Sequence, residues 1–250
     1  MIPDGTETEF PELAGHPSRQ PEHPPELAAD AIQAVLGRIR PDENADRKAA
    51  AERLERRRAE SLAIRGRLPD FVRSAPRAEL ERRIHHPHIL AAARGWAWGA
   101  GNVLFSGPTG LGKTTAAAML FRAVLGRAVV SGGADWDKAQ SLRWTNALEL
   151  VGARRQQRMG AGEAGLITEA CHARLLVIDE LGWEKDPAEV SEVLSVRQQR
   201  QWPTVITTGL SIAELNDHYG AAVLRRMLES GGRKPVIVEA FPVAKARGGP

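Results

Sequence analysis

The stretch NVLFSGPTGLGKTT, Asn102 to Thr115, decides the reading of this chain. It opens with a short apolar run, Asn102–Ser106, which predicts a strand. It then turns through the glycines Gly107, Gly110 and Gly112 and passes into the helix-forming sequence TTAAAMLFRAVL behind Lys113. Strand, glycine-rich turn and helix in that order separate a working phosphate loop from a chance match. Successive backbone N–H groups converge on a polyphosphate where no side chain obstructs them, and the helix start adds free N–H groups and the positive end of its dipole. The predicted ATP cradle is therefore Gly107, Pro108, Thr109, Gly110, Leu111, Gly112, Lys113, Thr114 and Thr115. Within it Lys113 bridges the β- and γ-phosphates and the Thr114 hydroxyl ligates Mg²⁺.

Further along, RLLVIDE (Arg174–Glu180) places four apolar residues before two acids, as in a buried central strand ending at the ligand-binding edge of an open α/β sheet. Asp179 is the candidate to hold a water on Mg²⁺. Glu180 is the candidate to polarise the water that attacks the γ-phosphate. Further strands are expected at Thr204–Thr208 and Pro235–Ala240, and a strand or turn around Arg143–Asn146. Helices are expected from Lys113 to about Leu125, from about Pro187 to Gln199, over Ser211–Asp217 and over Ala221–Glu229. The alternation predicts an α/β domain, residues 96–250, with a mostly parallel sheet and helices on both faces.

The ordered series GPTGLGKTT, RWTNALELV, LLVIDELG, WPTVITTGLSIAEL and YGAAVLRRMLESG resembles the AAA+ ATPases of the DnaC/IstB type, the helicase loaders and transposition helpers, over roughly residues 98–241. The resemblance implies a three-layer αβα P-loop fold and subunits that assemble side by side on ATP, each nucleotide lying between neighbours. It places Arg226 as the finger that reaches a neighbour's γ-phosphate, with Arg225 the runner-up. Two departures stand out. Gly209 occupies the position where the family has an Asn that senses the γ-phosphate, leaving Thr208 or Thr207 to substitute. Only 24 residues follow Arg226, too few for a helical lid; this matches the DnaC/IstB type and removes a second sensor arginine, for which Arg233 and Lys234 are poor replacements.

The regions flanking this core bear on partners. The first 25 residues hold six prolines and predict a flexible tail. Residues 26–95 predict a small helical module. It comprises a helix with Ile32, Val35, Leu36 and Ile39 on one face, a basic helix from about Ala45 to Arg65, and a run AELERRIHH that Pro87 closes. Between Asp46 and Arg83 stand twelve Lys/Arg against seven Asp/Glu, a face for nucleic-acid phosphates or a solvated helix. Arg154, Arg155 and Arg158, on a helix running into a glycine loop, are candidates for single- or double-stranded DNA; in the resembling loaders this region faces the DNA channel. The resemblance makes the module the partner-choosing part, gripping a replicative helicase or, in the alternative, engaging a transposase.

Composition narrows the remaining classes. The chain has one cysteine, Cys171, so no internal disulfide forms, and no run approaches the roughly 18 apolar residues of a membrane span. A soluble, cytoplasmic protein is expected, without membrane association. His85, His86 and His88 lack a cysteine or fourth ligand and read as surface histidines, while Trp96 and Trp98 read as core residues before candidates to cover an adenine. The expectation is a helicase-loader-type ATPase acting in DNA replication. The rivals are a transposition helper ATPase and a nucleotide-dependent scaffold that does not hydrolyse.

Overall fold

In the computed structural model, which describes residues 43–158, 160–229 and 233–241, the apolar runs become a five-stranded parallel sheet. The tail of residues 1–25 and the helix around Ile32–Ile39 lie outside the described residues. The chain divides into two compact units, Met1–Lys48 and Ala49–Pro250.

Four helices precede the sheet: α1 (Glu43–Arg65), α2 (Asp70–Arg73), α3 (Arg77–Arg82) and α4 (Pro87–Gly95). Then follow β1 (Val103–Ser106), α5 (Lys113–Ser131), α6 (Gly133–Gln140), β2 (Arg143–Asn146), α7 (Ala147–Gln156), α8 (Gly165–His172) and β3 (Leu176–Leu181). The series ends with α9 (Ala188–Arg200), β4 (Thr204–Thr208), α10 (Ile212–Tyr219), α11 (Ala221–Leu228) and β5 (Val236–Glu239). The strand order is β2-β3-β4-β1-β5. Helices connect every successive pair, as parallel strands require.

Burial explains why the central strands read as unbroken apolar runs. Every residue of β1 and β4 is buried, and in β3 only Glu180 is exposed. Both faces are covered, so the usual polar alternation is absent. The side chains still alternate between faces. Val103, Phe105, Val177 and Val205 point into the core shared with α5, while Leu104, Leu176, Ile178 and Ile206 point into the core built by α7 to α11. The result is the three-layer αβα sandwich. Helix α5 is long and apolar enough to cross a membrane, but most of it is buried in this core.

Two features differ from the sequence reading. Pro87 opens α4 instead of closing a helix, because the first helical position has no N–H to lose and the proline ring presets φ. The boundary placed at residue 95 is not a boundary of packing. Ile64, Leu68, Val72, Leu80, Ile84 and Ile89 are buried in one cluster with Phe105, Phe121 and Leu125. Each such side chain contributes about 1.5–3 kcal/mol on burial, and residues 49–95 pack within the same compact unit as the sheet.

A buried cation pins the far end of the sheet. Arg197 of α9 is 1% exposed and donates to the carbonyls of Ala170, Ala173 and Pro203, at 2.8, 2.7 and 2.6 Å, and to Thr204 Oγ1 at 2.9 Å. Burial draws its pKa down to about 9, which leaves it charged at neutral pH. It ties the C-terminus of α8 to the residues leading into β4.

Candidate active site

The phosphate loop leaves β1 at Gly107 and enters α5 at Lys113. Two of its glycines do different work. Gly110 has φ +91 and open space where a Cβ would stand, so its backbone faces a cavity. Gly112, the N-cap of α5, has φ +86, and a Cβ there would lie 2.6 Å from both Arg83 O and Ile84 Cα. The segment joining α3 to α4 therefore rests on the loop itself. Lys113 Nζ donates to the carbonyls of Gly107 at 2.7 Å and Pro108 at 2.8 Å, holding the ammonium inside the turn. Burial lowers its pKa, against the opposing pull of Asp179 and Glu180.

The acidic pair owes its geometry to a β-bulge. Registers between β3 and β4 shift between Ile178 and Leu181, and within that shift Glu180 adopts φ +56. A left-handed backbone costs a non-glycine residue roughly 1–2 kcal/mol, and bulges re-aim side chains beside active sites. Here the bulge turns Glu180 outward while Asp179 stays buried at 7% exposure. Thr207 holds the bulge: its hydroxyl donates to Asp179 Oδ1 and accepts from Glu180 N at 3.0 Å. Thr114 Oγ1 also donates to Asp179 Oδ1, at 3.0 Å. Burial pushes the Asp179 carboxyl above its ordinary pKa; the two hydroxyls pull it back, and the neighbouring Glu180 charge raises it further.

A cavity of about 300 Å³ lies over the loop, lined by Thr109, Gly110, Lys113, Thr114, Glu180, Thr207 and Thr208, among others. Two residues that the sequence reading did not single out share it. Arg83 contributes its wall, its guanidinium bound to Phe71 O at 2.7 Å and to Glu79. Trp183, 69% exposed, stands at the lip. A second opening of about 760 Å³ reaches Thr114, Asp179 and Glu180 past Arg67, Arg143 and Glu149.

The remaining candidates fall into place individually. Thr208 lines the cavity, but its hydroxyl donates to Leu181 O at 2.7 Å and accepts from Leu210 N at 3.0 Å, so its proton is committed within the fold. Of the two threonines, Thr207 is the one whose hydroxyl bonds Asp179 and the Glu180 backbone. Arg226 lies elsewhere: the carbonyls of Arg226 and Met227 accept from Asn102 Nδ2, at 3.4 and 2.9 Å. Asn102 precedes β1, whereas the phosphate loop follows it, so Arg226 sits at the opposite edge of the sheet from its own loop and lines neither cavity. Arg225 pairs with Glu229 at 3.7 Å.

The three arginines proposed for DNA are not equivalent. Arg154 is held by Glu192 at 2.7 Å and by Glu163, and these carboxylates raise its pKa. Its charge is answered within the chain, while Arg155 and Arg158 are exposed. Among the described residues no group of three or more His, Cys, Asp or Glu side chains is placed to hold a metal ion. Trp96 is buried, with its indole donating to Gly101 O at 3.1 Å. Trp98 packs beside Val124 and Arg127 of α5, outside the nucleotide cavity.

A parallel sheet in this order, with a phosphate loop after β1 and an acidic pair near the end of β3, defines an ATP-binding P-loop domain. The chain belongs to the IstB-like ATP binding protein family, whose model matches residues 47–229. No curated protein matches the chain. Similar solved structures include the DnaC helicase loader, 17% identical over 60% of this chain and 86% of that one, with a TM-score of 0.44. DnaI is 15% identical over 67% and 93%, with a TM-score of 0.43. AMPPCP-bound DnaA from Aquifex aeolicus is 16% identical over 68% and 52%, with a TM-score of 0.45.

Proposed function

We propose that this chain is a DNA-associated ATPase of the helicase-loader type, acting in DNA replication in the cytoplasm and hydrolysing ATP between adjacent copies of itself. The observation that carries the reading is the placement of charge. Glu180 lines the nucleotide cavity at a strained bulge, while the candidate finger Arg226 lies near the start of β1, away from its own phosphate loop, which supports a role toward a neighbouring copy's phosphates.

Thr114 Oγ1 and Asp179 Oδ1 stand 3.0 Å apart, with no lysine or arginine bonded to Asp179 among the described residues. A hydroxyl beside a carboxylate suits a hard cation that prefers oxygen, so these residues fit Mg²⁺. When bound, Mg²⁺ neutralises charge on the β- and γ-phosphates. The Gly107–Thr115 backbone binds the phosphates, with Lys113 exchanging its two carbonyl partners for phosphate oxygens. Thr207 fixes Asp179 and the backbone of Glu180. Glu180 accepts a proton from the attacking water. Arg226 of a neighbouring copy stabilises the charge that gathers on the γ-phosphoryl group.

DNA association rests on the basic surface that includes Arg155 and Arg158, and the partner is a replicative helicase. The IstB-like family match favours a second reading, in which the same engine acts as a transposition helper that binds target DNA and stimulates a transposase. Gly209 keeps the non-hydrolysing scaffold in play, because no side chain there reaches the nucleotide. Turnover measured with Mg²⁺ and DNA separates these classes. The enzyme reading predicts activity in the parent and an E180Q variant that binds ATP but turns over at least about 100-fold more slowly. Equal turnover in E180Q removes Glu180 from its role, and a parent that binds ATP without turnover establishes the scaffold. Capture by the full chain of a purified helicase or transposase ranks the two partners.

A further inference from the structure

The edge of the sheet opposite the nucleotide carries a basic cluster that the ATPase chemistry does not use. Trp202 precedes β4, and two guanidiniums lie against its indole: Arg174 with Cζ 4.8 Å and Arg200 with Cζ 5.0 Å from the ring centroid. The His172 ring lies 6.4 Å from it. Arg174, Arg200 and His172 are exposed. Neither guanidinium has a hydrogen-bond or ion-pair partner among the described residues, in contrast to Arg154, Arg143 and Arg225, each of which is paired with a glutamate.

This arrangement is fixed in place. Buried Arg197 lies under it, bonded to the carbonyls of Ala170, Ala173 and Pro203, so the end of α8 that carries His172 and the approach to β4 that carries Trp202 share one anchor. A guanidinium stacked on an aromatic face leaves its N–H edge directed outward, with little side-chain entropy left to lose on binding. The two lie no more than about 10 Å apart, close enough to meet neighbouring phosphates of one strand. None of the exposed large hydrophobic residues Leu62, Phe71, Val130, Leu148, Trp183 and Ile237 belongs to the cluster, so it lacks the apolar flank of a lipid-binding surface.

We infer that Arg174, Arg200 and Trp202, with His172 beside them, form a binding surface for the phosphate backbone of DNA at the edge of the sheet remote from ATP. The inference rests on the DNA-associated reading above and adds a second contact region to the surface of Arg155 and Arg158. Because the surface and the nucleotide cavity lie at opposite strand ends, both ligands bind at once.

The test is the anisotropy of a labelled single-stranded 30-mer titrated with the full chain, ATP analogue and Mg²⁺, between 50 and 200 mM salt. The R174Q/R200Q variant is expected to bind at least about 10-fold more weakly, with a salt slope shallower by about 1.4 for two lost phosphate contacts. W202F is expected to retain binding and W202A to lose most of it. Binding of a fluorescent ATP analogue is expected to stay at the parental value in all of them. The single variants R174Q and R200Q, each losing part of the affinity, decide the matter if the double variant no longer melts cooperatively. Parental DNA affinity in R174Q/R200Q overturns the surface and leaves the DNA reading standing. A parent that binds neither single-stranded nor duplex DNA defeats the DNA reading and the surface together. Loss of binding to anionic phosphatidylserine vesicles with DNA affinity unchanged also overturns the assignment.

Discussion

Replacing Gly112 by alanine tests the packing of residues 83–84 on the phosphate loop. At φ +86 any L side chain pays a conformational cost of about 1–2 kcal/mol. The new Cβ also arrives 2.6 Å from Arg83 O and Ile84 Cα, both backbone atoms, where ordinary contact begins at 3.4 Å. The α3–α4 segment must retreat by most of an ångström, and overpacking of that kind costs a further ~1–3 kcal/mol. Gly110→Ala is the matched control, since its φ is +91 but its Cβ meets open space. In urea unfolding of the nucleotide-free protein, Gly110→Ala is expected to cost about 1–2 kcal/mol and Gly112→Ala about 2–5 kcal/mol. Omitting nucleotide keeps crowding of the phosphates out of the comparison. Equal losses in the two variants refute the contact, and with it the assignment of Arg83 to the cavity wall.

Asp179→Asn separates stability from binding. The Asp179 carboxyl is raised above its ordinary pKa by burial, so its contribution to stability is complete below the unfolded value, about 3.9, and is lost as pH rises through the folded value. At neutral pH the amide, which still accepts from Thr114 and Thr207, is expected to melt higher than the parent in the absence of nucleotide and to show a flatter response to acidification. Mg²⁺-dependent ATP affinity falls in the same variant; a lower neutral-pH melting temperature contradicts the argument. Arg197→Met removes the donor to three carbonyls and one hydroxyl in the core. A loss of roughly 3–5 kcal/mol, on the order of 10 °C in melting temperature, is expected by calorimetry, and a shift under about 2 °C contradicts the anchoring role.

What the sequence discloses depends on how local the cause is. The phosphate loop is legible because its glycines, lysine and threonine all lie within the contiguous segment Gly107–Thr115. The central strands are legible because burial on both faces leaves unbroken apolar runs at Val103–Phe105, Leu175–Ile178 and Val205–Ile206. The capping boxes Asn146–Glu149 and Ser211–Glu214 also lie within one turn of chain and mark the starts of α7 and α10. The bulge at Asp179–Glu180 is different: it depends on Thr207, 28 residues beyond Asp179, and no local pattern announces it. Arg83 and Trp183 reach the cavity by tertiary packing. The pairing of Arg154 is not legible, because its partners Glu163 and Glu192 are brought to it by the turn after α7 and by α9. The charge run from Asp46 to Arg83 likewise concealed that Ile64, Leu68, Val72 and Leu80 build the core behind α5.

If ATP is turned over between copies of the chain, two variants defective in different halves of the site complement each other when mixed. K113A removes the lysine of the phosphate loop but keeps Arg226, the proposed finger, whereas R226A keeps the loop and removes that arginine. Each alone is expected to be nearly inactive in steady-state turnover with Mg²⁺ and DNA. Mixed, they are expected to exceed the sum of their separate rates, because Arg226 of one copy completes the loop of the other. A parental rate in R226A alone, or a mixture that never rises above that sum, contradicts the intersubunit site.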